Sequence, residues 1–301
     1  MNKFLKNTAI VLLSLLFVVI IGFLAGKQEI EKKIIFEPSG VVKPLFAELQ
    51  KKASMQTFTT TEGLKLSYIN IKGDRNKSII LFCHGNDANI TFAKIQKKFL
   101  FLAQNNYEVF ALDYRGYGKS EGSPDEQGLY SDVSQFISYL DKNFSIKPEN
   151  IIVWGHSLGS AVAIHTASGM NFKGIIAEGG FTSIEDMRTF RIKNEDKGNA
   201  VSNFIRDFVY NSLEISQKFA SKEKISLVKS PMLILHSKQD TTTPYEMSVR
   251  LSELKPEAET FFPEDGGHNS TGWQDTIILE FIKNLQAKRK QVLEDYTAPK
   301  K

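Results

Sequence analysis

The chain has 301 residues, 42% of them apolar and 24% charged, enough for one packed core and too little for several domains. A net charge of +4, with Lys and Arg spread along the chain, argues against a nucleic-acid groove. Cys83 is the single cysteine, which excludes intramolecular disulfides and cysteine-based zinc sites and leaves the redox compartment open.

The first feature in chain order is an uncharged stretch from Thr8 to Gly26, TAIVLLSLLFVVIIGFLAG, preceded by Lys3 and Lys6. As a helix it reaches about 28 Å, close to the roughly 30 Å hydrocarbon thickness of a bilayer. A cleaved leader needs small residues before its cut site, whereas Leu24 or Phe23 falls at the −3 position here. Residues 1–26 are therefore expected to be a single-pass membrane anchor. Lysines on both sides leave its orientation open, with an extracytoplasmic domain as the working expectation.

Residues 27–54 are charged and mixed, and read as a tether. The segment from Gln56 to Ile71 alternates β-formers around Glu62-Gly63, the pattern of a hairpin. Short apolar runs follow at Ser78–Cys83, Tyr107–Asp113, Asn150–Gly155, Gly174–Glu178, Pro231–His236 and, more weakly, Glu259–Pro263. Helical patterns separate or follow them at Phe92–Gln104, Asp125–Leu140, Leu158–Ser168, Tyr245–Leu254 and Gln274–Lys288. Buried strands alternating with helices predict an α/β domain over residues 55–289, with a mostly parallel sheet covered on both faces. Residues 184–229 break the alternation and read as a small cap insertion, helical over Phe204–Leu213. Residues 290–301 form a polar tail.

In such sheets, ligands bind beyond the carboxyl ends of the strands. There stands Gly155-His156-Ser157-Leu158-Gly159, after IIVW and before the helix-compatible SAVAIHTA. A nucleophile on a sharp strand-to-helix turn needs glycine two residues before and two after, because no side chains fit there. Ser157 is the candidate nucleophile.

Of the five histidines, His84 and His156 lie in turns, His165 lies too far along a helix, and His236 ends a strand. His268, in the Gly-rich loop EDGGHNS, is the candidate base. Asp240, in HSKQDTTTP after the penultimate strand, is the candidate acid, and Glu178 is its rival. The N–H groups of Leu158, at a helix start, and of Asn86, after the flexible Gly85, are candidate oxyanion donors.

The segments CHGNDAN, LDYRGYGKSEGSPDEQGLY, WGHSLGS, HSKQDTTTP and GGHNS make the chain resemble the α/β-hydrolases from about Gln56 onward. Among them it is similar to membrane-anchored serine hydrolases, which include lysophospholipase-like and protein-depalmitoylase enzymes. The resemblance implies an α/β-hydrolase fold with Ser157, Asp240 and His268 as triad and Asn86 and Leu158 as oxyanion donors. The cap insertion matches no motif of that branch.

Other motifs carry structural readings. Gly118-Lys119-Ser120 lacks the earlier glycine of a phosphate loop, since Asp113 stands there, and Asp113 and Arg115 read instead as braces at the site edge. Cys83 reads as buried filler. No metal-ligand set appears, and no metal or cofactor is expected. The expected activity is serine hydrolysis of small-molecule or lipid esters at a membrane, without nucleic acid. An acyl-protein thioesterase, a serine peptidase and a non-catalytic membrane-anchored binding module are the alternatives.

Overall fold

A computed structural model describes residues 29–194, 215–269 and 276–287, with seven isolated positions before residue 29. Strands β1 (Ala53–Thr59) and β2 (Lys65–Ile71) form the expected antiparallel hairpin, with Thr59 opposite Lys65. Then come β3 (Ile79–Cys83), β4 (Val109–Leu112), β5 (Ile151–His156), β6 (Gly174–Glu178), β7 (Met232–Leu235) and β8 (Glu259–Phe261). They make one eight-stranded sheet in the order β1-β2-β4-β3-β5-β6-β7-β8. The β2 strand runs antiparallel to β4, and all pairs from β4 to β8 are parallel.

Strands β3 to β7 are buried along their whole length, which is why they read as continuous apolar runs rather than alternating ones. Helices cover both faces: α1 (Ala93–Gln104), α2 (Glu126–Phe144), α3 (Leu158–Gly169), α4 (Ile184–Asn194), α5 (Tyr245–Glu253) and α6 over residues 276–287. On one face, Phe99 and Leu102 of α1 and Phe281 of α6 pack with Ile80, Phe82 and Trp154. On the other, Val133 and Phe136 of α2 and Val162 of α3 pack with Leu81, Val153 and Ile175. Successive strand residues thus serve opposite layers, as the pleat requires. Helix α3 is buried on nearly every side, so its small residues suit a core position rather than an amphipathic stripe.

The α2 helix starts where Asp125 accepts the Gly128 N–H at 2.8 Å, an N-cap that the sequence reading placed inside the helix. It runs past the expected Leu140 to Phe144, whose ring packs edge-on to Phe110 at 5.3 Å, and stops at Ser145 with φ +57°. Residues 29–35, within the expected tether, are helical, and beyond them Phe36 and Leu49 are buried in the domain. Asn89 Nδ2 donates to the Ser39 and Val41 carbonyls at 3.0 and 2.9 Å, fastening this segment down.

Among the described residues no helix is long and apolar enough to cross a membrane. Most of the Thr8–Gly26 stretch, the expected Phe204–Leu213 helix and the polar tail lie outside the described residues.

Candidate active site

The turn between β5 and α3 explains the glycine spacing around Ser157. A Cβ on Gly155 would lie 2.1 Å from the Gly159 carbonyl oxygen, and one on Gly159 would lie 2.0 Å from the Cys83 carbonyl oxygen. Backbone packs on backbone at both positions. Ser157 itself sits at φ +56°, ψ −121°, a left-handed conformation that costs a non-glycine residue about 1–3 kcal/mol. The surroundings enforce it: Ser157 N donates to the Glu178 carbonyl and Ser160 N to the Ser157 carbonyl, both at 2.8 Å.

Asp240 and His268 come together from two loops on the same edge of the sheet. His268 Nδ1 lies 2.6 Å from Asp240 Oδ2. A carboxylate only accepts, so Nδ1 carries the proton and, in the neutral ring, Nε2 is left as a base. Asp240 Oδ1 accepts the N–H groups of Thr242 and Thr243 at 2.8 and 2.9 Å. Burial works against charge on Asp240, but hydrogen bonds from His236 and His268 outweigh it and hold the carboxyl well below the usual carboxylate range.

Ser157, His268, Asn86 and Leu158 all line one cavity of about 260 Å³. Leu158 is the first residue of α3, so its N–H has no partner within the helix. Asn86 is pinned by its side chain: Nδ2 donates to the Ile35 carbonyl at 2.7 Å, and Oδ1 accepts from Tyr117 Oη at 2.8 Å. Most of the remaining cavity surface is apolar, from Phe181, Ile184, Met187, Ile34, Ile35 and Ile215, and Glu31, Glu37, Asp87, Arg188 and Arg191 also line it.

Two histidines do more than the sequence reading gave them. His236, just past the end of β7, is buried, and its Nε2 lies 3.0 Å from Asp240 Oδ2 and 3.0 Å from the Thr243 carbonyl, while Nδ1 lies 2.7 Å from Ser248 Oγ. Both Nε2 partners only accept here, so Nε2 donates and the Ser248 hydroxyl donates to Nδ1. His156, set aside as a turn residue, reaches across to the His268 loop: Nε2 donates to the His268 carbonyl at 2.7 Å. Burial pushes its pKa down to about 3, so it serves as a neutral clamp. The His156 contact has no sequence signal, because its partner lies in a separate loop; Asp240 and Thr243 follow His236 by only four and seven residues, but nothing in that spacing marks a hydrogen bond.

Glu178, the rival acid, is engaged elsewhere. Lys98 Nζ contacts its two oxygens at 2.7 and 2.9 Å, and Trp154 Nε1 donates to it at 2.9 Å. Of the two expected braces, Arg115 pairs with Asp132 of α2 at 2.6 Å. Asp113 accepts the Ile90 N–H at 2.8 Å and lies 3.5 Å from His84 Nε2. Burial pushes Asp113 up to about 7 and His84 down to about 4. With His84 Nδ1 donating to the Gly85 carbonyl at 2.8 Å, its Nε2 lone pair faces a neutral Asp113 carboxyl in acid. Cys83 is buried as expected, and burial lifts its thiol to about 12.

Residues 74–192 match the Hydrolase_4 family, described as serine aminopeptidase, S33. The chain is 29% identical over 194 residues to the lysophosphatidylserine lipase ABHD12 of Danio rerio, covering 60% of this chain and 48% of the lipase. The match thus spans about half the length of that relative. It is 32% identical over 237 residues to the uncharacterized protein R595 of Acanthamoeba polyphaga mimivirus, covering 73% of this chain and 76% of that one. Human alpha/beta hydrolase domain-containing protein 17B is 26% identical over 225 residues, covering 73% and 71%. Among solved structures, an esterase of Pyrococcus furiosus superposes with a TM-score of 0.65 at 21% identity, over 83% of this chain and 97% of the esterase, a likeness of fold.

Proposed function

Because the chain belongs to the α/β-hydrolase superfamily, we propose that it is a serine hydrolase cleaving carboxylic esters, lipid or acyl esters among them, through Ser157, Asp240 and His268. The observation that carries this reading is the 2.6 Å Asp240–His268 contact, in a loop that shares a mainly apolar cavity with the strained Ser157.

In the proposed reaction His268 Nε2 takes the Ser157 hydroxyl proton as Oγ bonds to the ester carbonyl carbon. Asp240, held ionised, stabilises the imidazolium. The N–H groups of Asn86 and Leu158 hold the oxyanion. The bond from carbon to the leaving oxygen then breaks, and His268 returns the proton to the departing alcohol, leaving an acyl-enzyme. Water attacks next, giving its proton to His268. Collapse releases the carboxylic acid and restores the Ser157 hydroxyl. A thioester would follow the same steps with a thiol departing. No step calls for a metal or cofactor.

The length and lack of charge of Thr8–Gly26 support placing this enzyme at a membrane through its N-terminus. The lipase among the relatives supports an ester of a lipid as substrate. A second reading, removal of N-terminal amino acids from peptides, has the family description behind it. The apolar walls beside Ser157 favour the ester.

The test is hydrolysis of nitrophenyl esters from acetyl to palmitoyl, beside aminoacyl nitroanilides, with Ser157→Ala as the blank. Ester turnover above the blank is the expected result. Turnover of nitroanilides alone would replace the ester reading with the peptidase one.

A further inference from the structure

The segment between the apolar N-terminal stretch and β1 reads in the sequence as a tether, but its position gives it work to do. Glu31 is 3% exposed, although glutamate is rarely buried without partners. Its Oε1 accepts the N–H groups of Ser216 and Gln217 at 2.6 and 2.8 Å, and its Oε2 accepts the Ser216 hydroxyl at 2.6 Å. The N-terminal helix is thereby fastened to residues 216–217, within the expected cap insertion.

One turn later the Ile35 carbonyl accepts from Asn86 Nδ2 at 2.7 Å, and Glu37 N donates to Asn86 Oδ1 at 3.2 Å. Phe36, between them, is buried and packs edge-on to Phe219 at 5.9 Å. The same short segment therefore touches residues 216–219 of the expected cap insertion and the residue proposed to hold the oxyanion. Its side chains at Ile34 and Ile35 face the Ser157 cavity. Ile34 is 45% exposed, so its apolar surface lies uncovered at the cavity wall rather than in the core.

We propose that residues 31–37 are part of the substrate site: Ile34 and Ile35 form one wall of an acyl-chain groove facing Ile184 and Met187, and Glu31 and Asn86 hold that wall in place. The proposal rests on the ester-hydrolase reading and names the part of the substrate that this wall recognises, a medium or long acyl chain. An acetyl group reacts at Ser157 without reaching the wall. A longer acyl chain lies along it. The apolar stretch ends at Gly26, five residues before Glu31.

The test uses the full chain with the single variant Ile34→Glu, chosen because its exposure leaves the core untouched. The ratio of kcat/KM for decanoyl to acetyl nitrophenyl ester is expected to fall at least tenfold. In parallel, binding of a dansyl-labelled undecanoic acid to the Ser157→Ala chain is measured with and without Ile34→Glu. A loss of at least fivefold in affinity is expected.

Glu31→Ala, which unfastens the wall, is expected to lower the same ratio, with Glu31→Gln retaining more of it. An unchanged ratio together with unchanged fatty-acid binding for Ile34→Glu would overturn the wall. If no ester is hydrolysed at all but fatty-acid binding still weakens in Ile34→Glu, the ester reading fails and the wall stands.

Discussion

The substitution His236→Leu separates holding the acid from using it. In the native chain His236 Nε2 donates to Asp240 Oδ2 at 3.0 Å, beside the His268 contact on the same oxygen at 2.6 Å. Leucine is of similar volume and cannot donate, so one charge-assisted hydrogen bond is lost, worth about 1.5–3 kcal/mol. The Thr243 carbonyl loses the same donor, and the Ser248 hydroxyl loses its acceptor on Nδ1, although it also lies 3.3 Å from the Gly180 carbonyl. The sum is a loss of roughly 2–4 kcal/mol in unfolding free energy, or a Tm lower by roughly 4–16 °C for a domain of this size.

Calorimetry at pH 7.5 checks the magnitude, and a pH series checks its origin. The Asp240 pKa is lowered in the folded state, so its contribution to stability is present above the unfolded-state pKa and is lost as pH falls through the folded value. His236→Leu raises that folded value towards the unfolded one, and the difference between variant and native chain should therefore shrink in acid. Turnover of a nitrophenyl ester should drop less than tenfold, because the Asp240–His268 contact remains. A variant with native Tm but a turnover loss as large as that of Asp240→Asn would refute the reasoning, since His236 would then act in the reaction rather than beneath it.

The remaining expectations concern the other buried charges. Asp240→Asn removes the acceptor that fixes the His268 tautomer, and kcat should fall by up to about 10⁴, with a loss of Tm at least comparable to that of His236→Leu, since the same charge-assisted bond is weakened. Glu178→Gln should behave in the opposite sense: it leaves Lys98, also buried, without its partner, costing about 3–5 kcal/mol in stability by denaturant unfolding while sparing turnover in the folded fraction. Asp113 has its folded pKa raised to about 7 by burial, so the folded chain binds a proton that the unfolded chain has lost at neutral pH. Stability from that proton is full below the unfolded value and falls as pH rises through 7, by at most about 4 kcal/mol. Asp113→Asn should flatten that decline in a Tm series from pH 5 to 9, and a native slope retained in the variant would rule the assignment out.

Much of this site is legible in the sequence because steric and topological rules act locally. Gly155 and Gly159 are glycines because a Cβ at either would strike backbone within about 2.1 Å, and that spacing is visible in one short stretch. The strands are legible because parallel strands covered on both faces must be apolar throughout. The pairing of His268 with Asp240 could be reached from the sequence because both lie in loops that follow strands.

What was not legible depends on distant partners of ordinary composition. Nothing near His156 announces that it clamps the His268 loop, 112 residues later. Glu178 reads as a possible acid until Lys98, eighty residues earlier, is seen to hold it. The segment at residues 31–37 looks like a charged linker because its contacts, Glu31 to Ser216 and Ile35 to Asn86, leave no periodic pattern.

The proposal that Ser157 is the nucleophile is tested most directly by treating the full chain with a fluorophosphonate and mapping the adduct by peptide mass spectrometry. A single adduct on Ser157, slowed strongly by His268→Ala and absent in Ser157→Ala, is the expected result. A folded chain that takes no label, or takes it on another residue, would contradict the proposed chemistry.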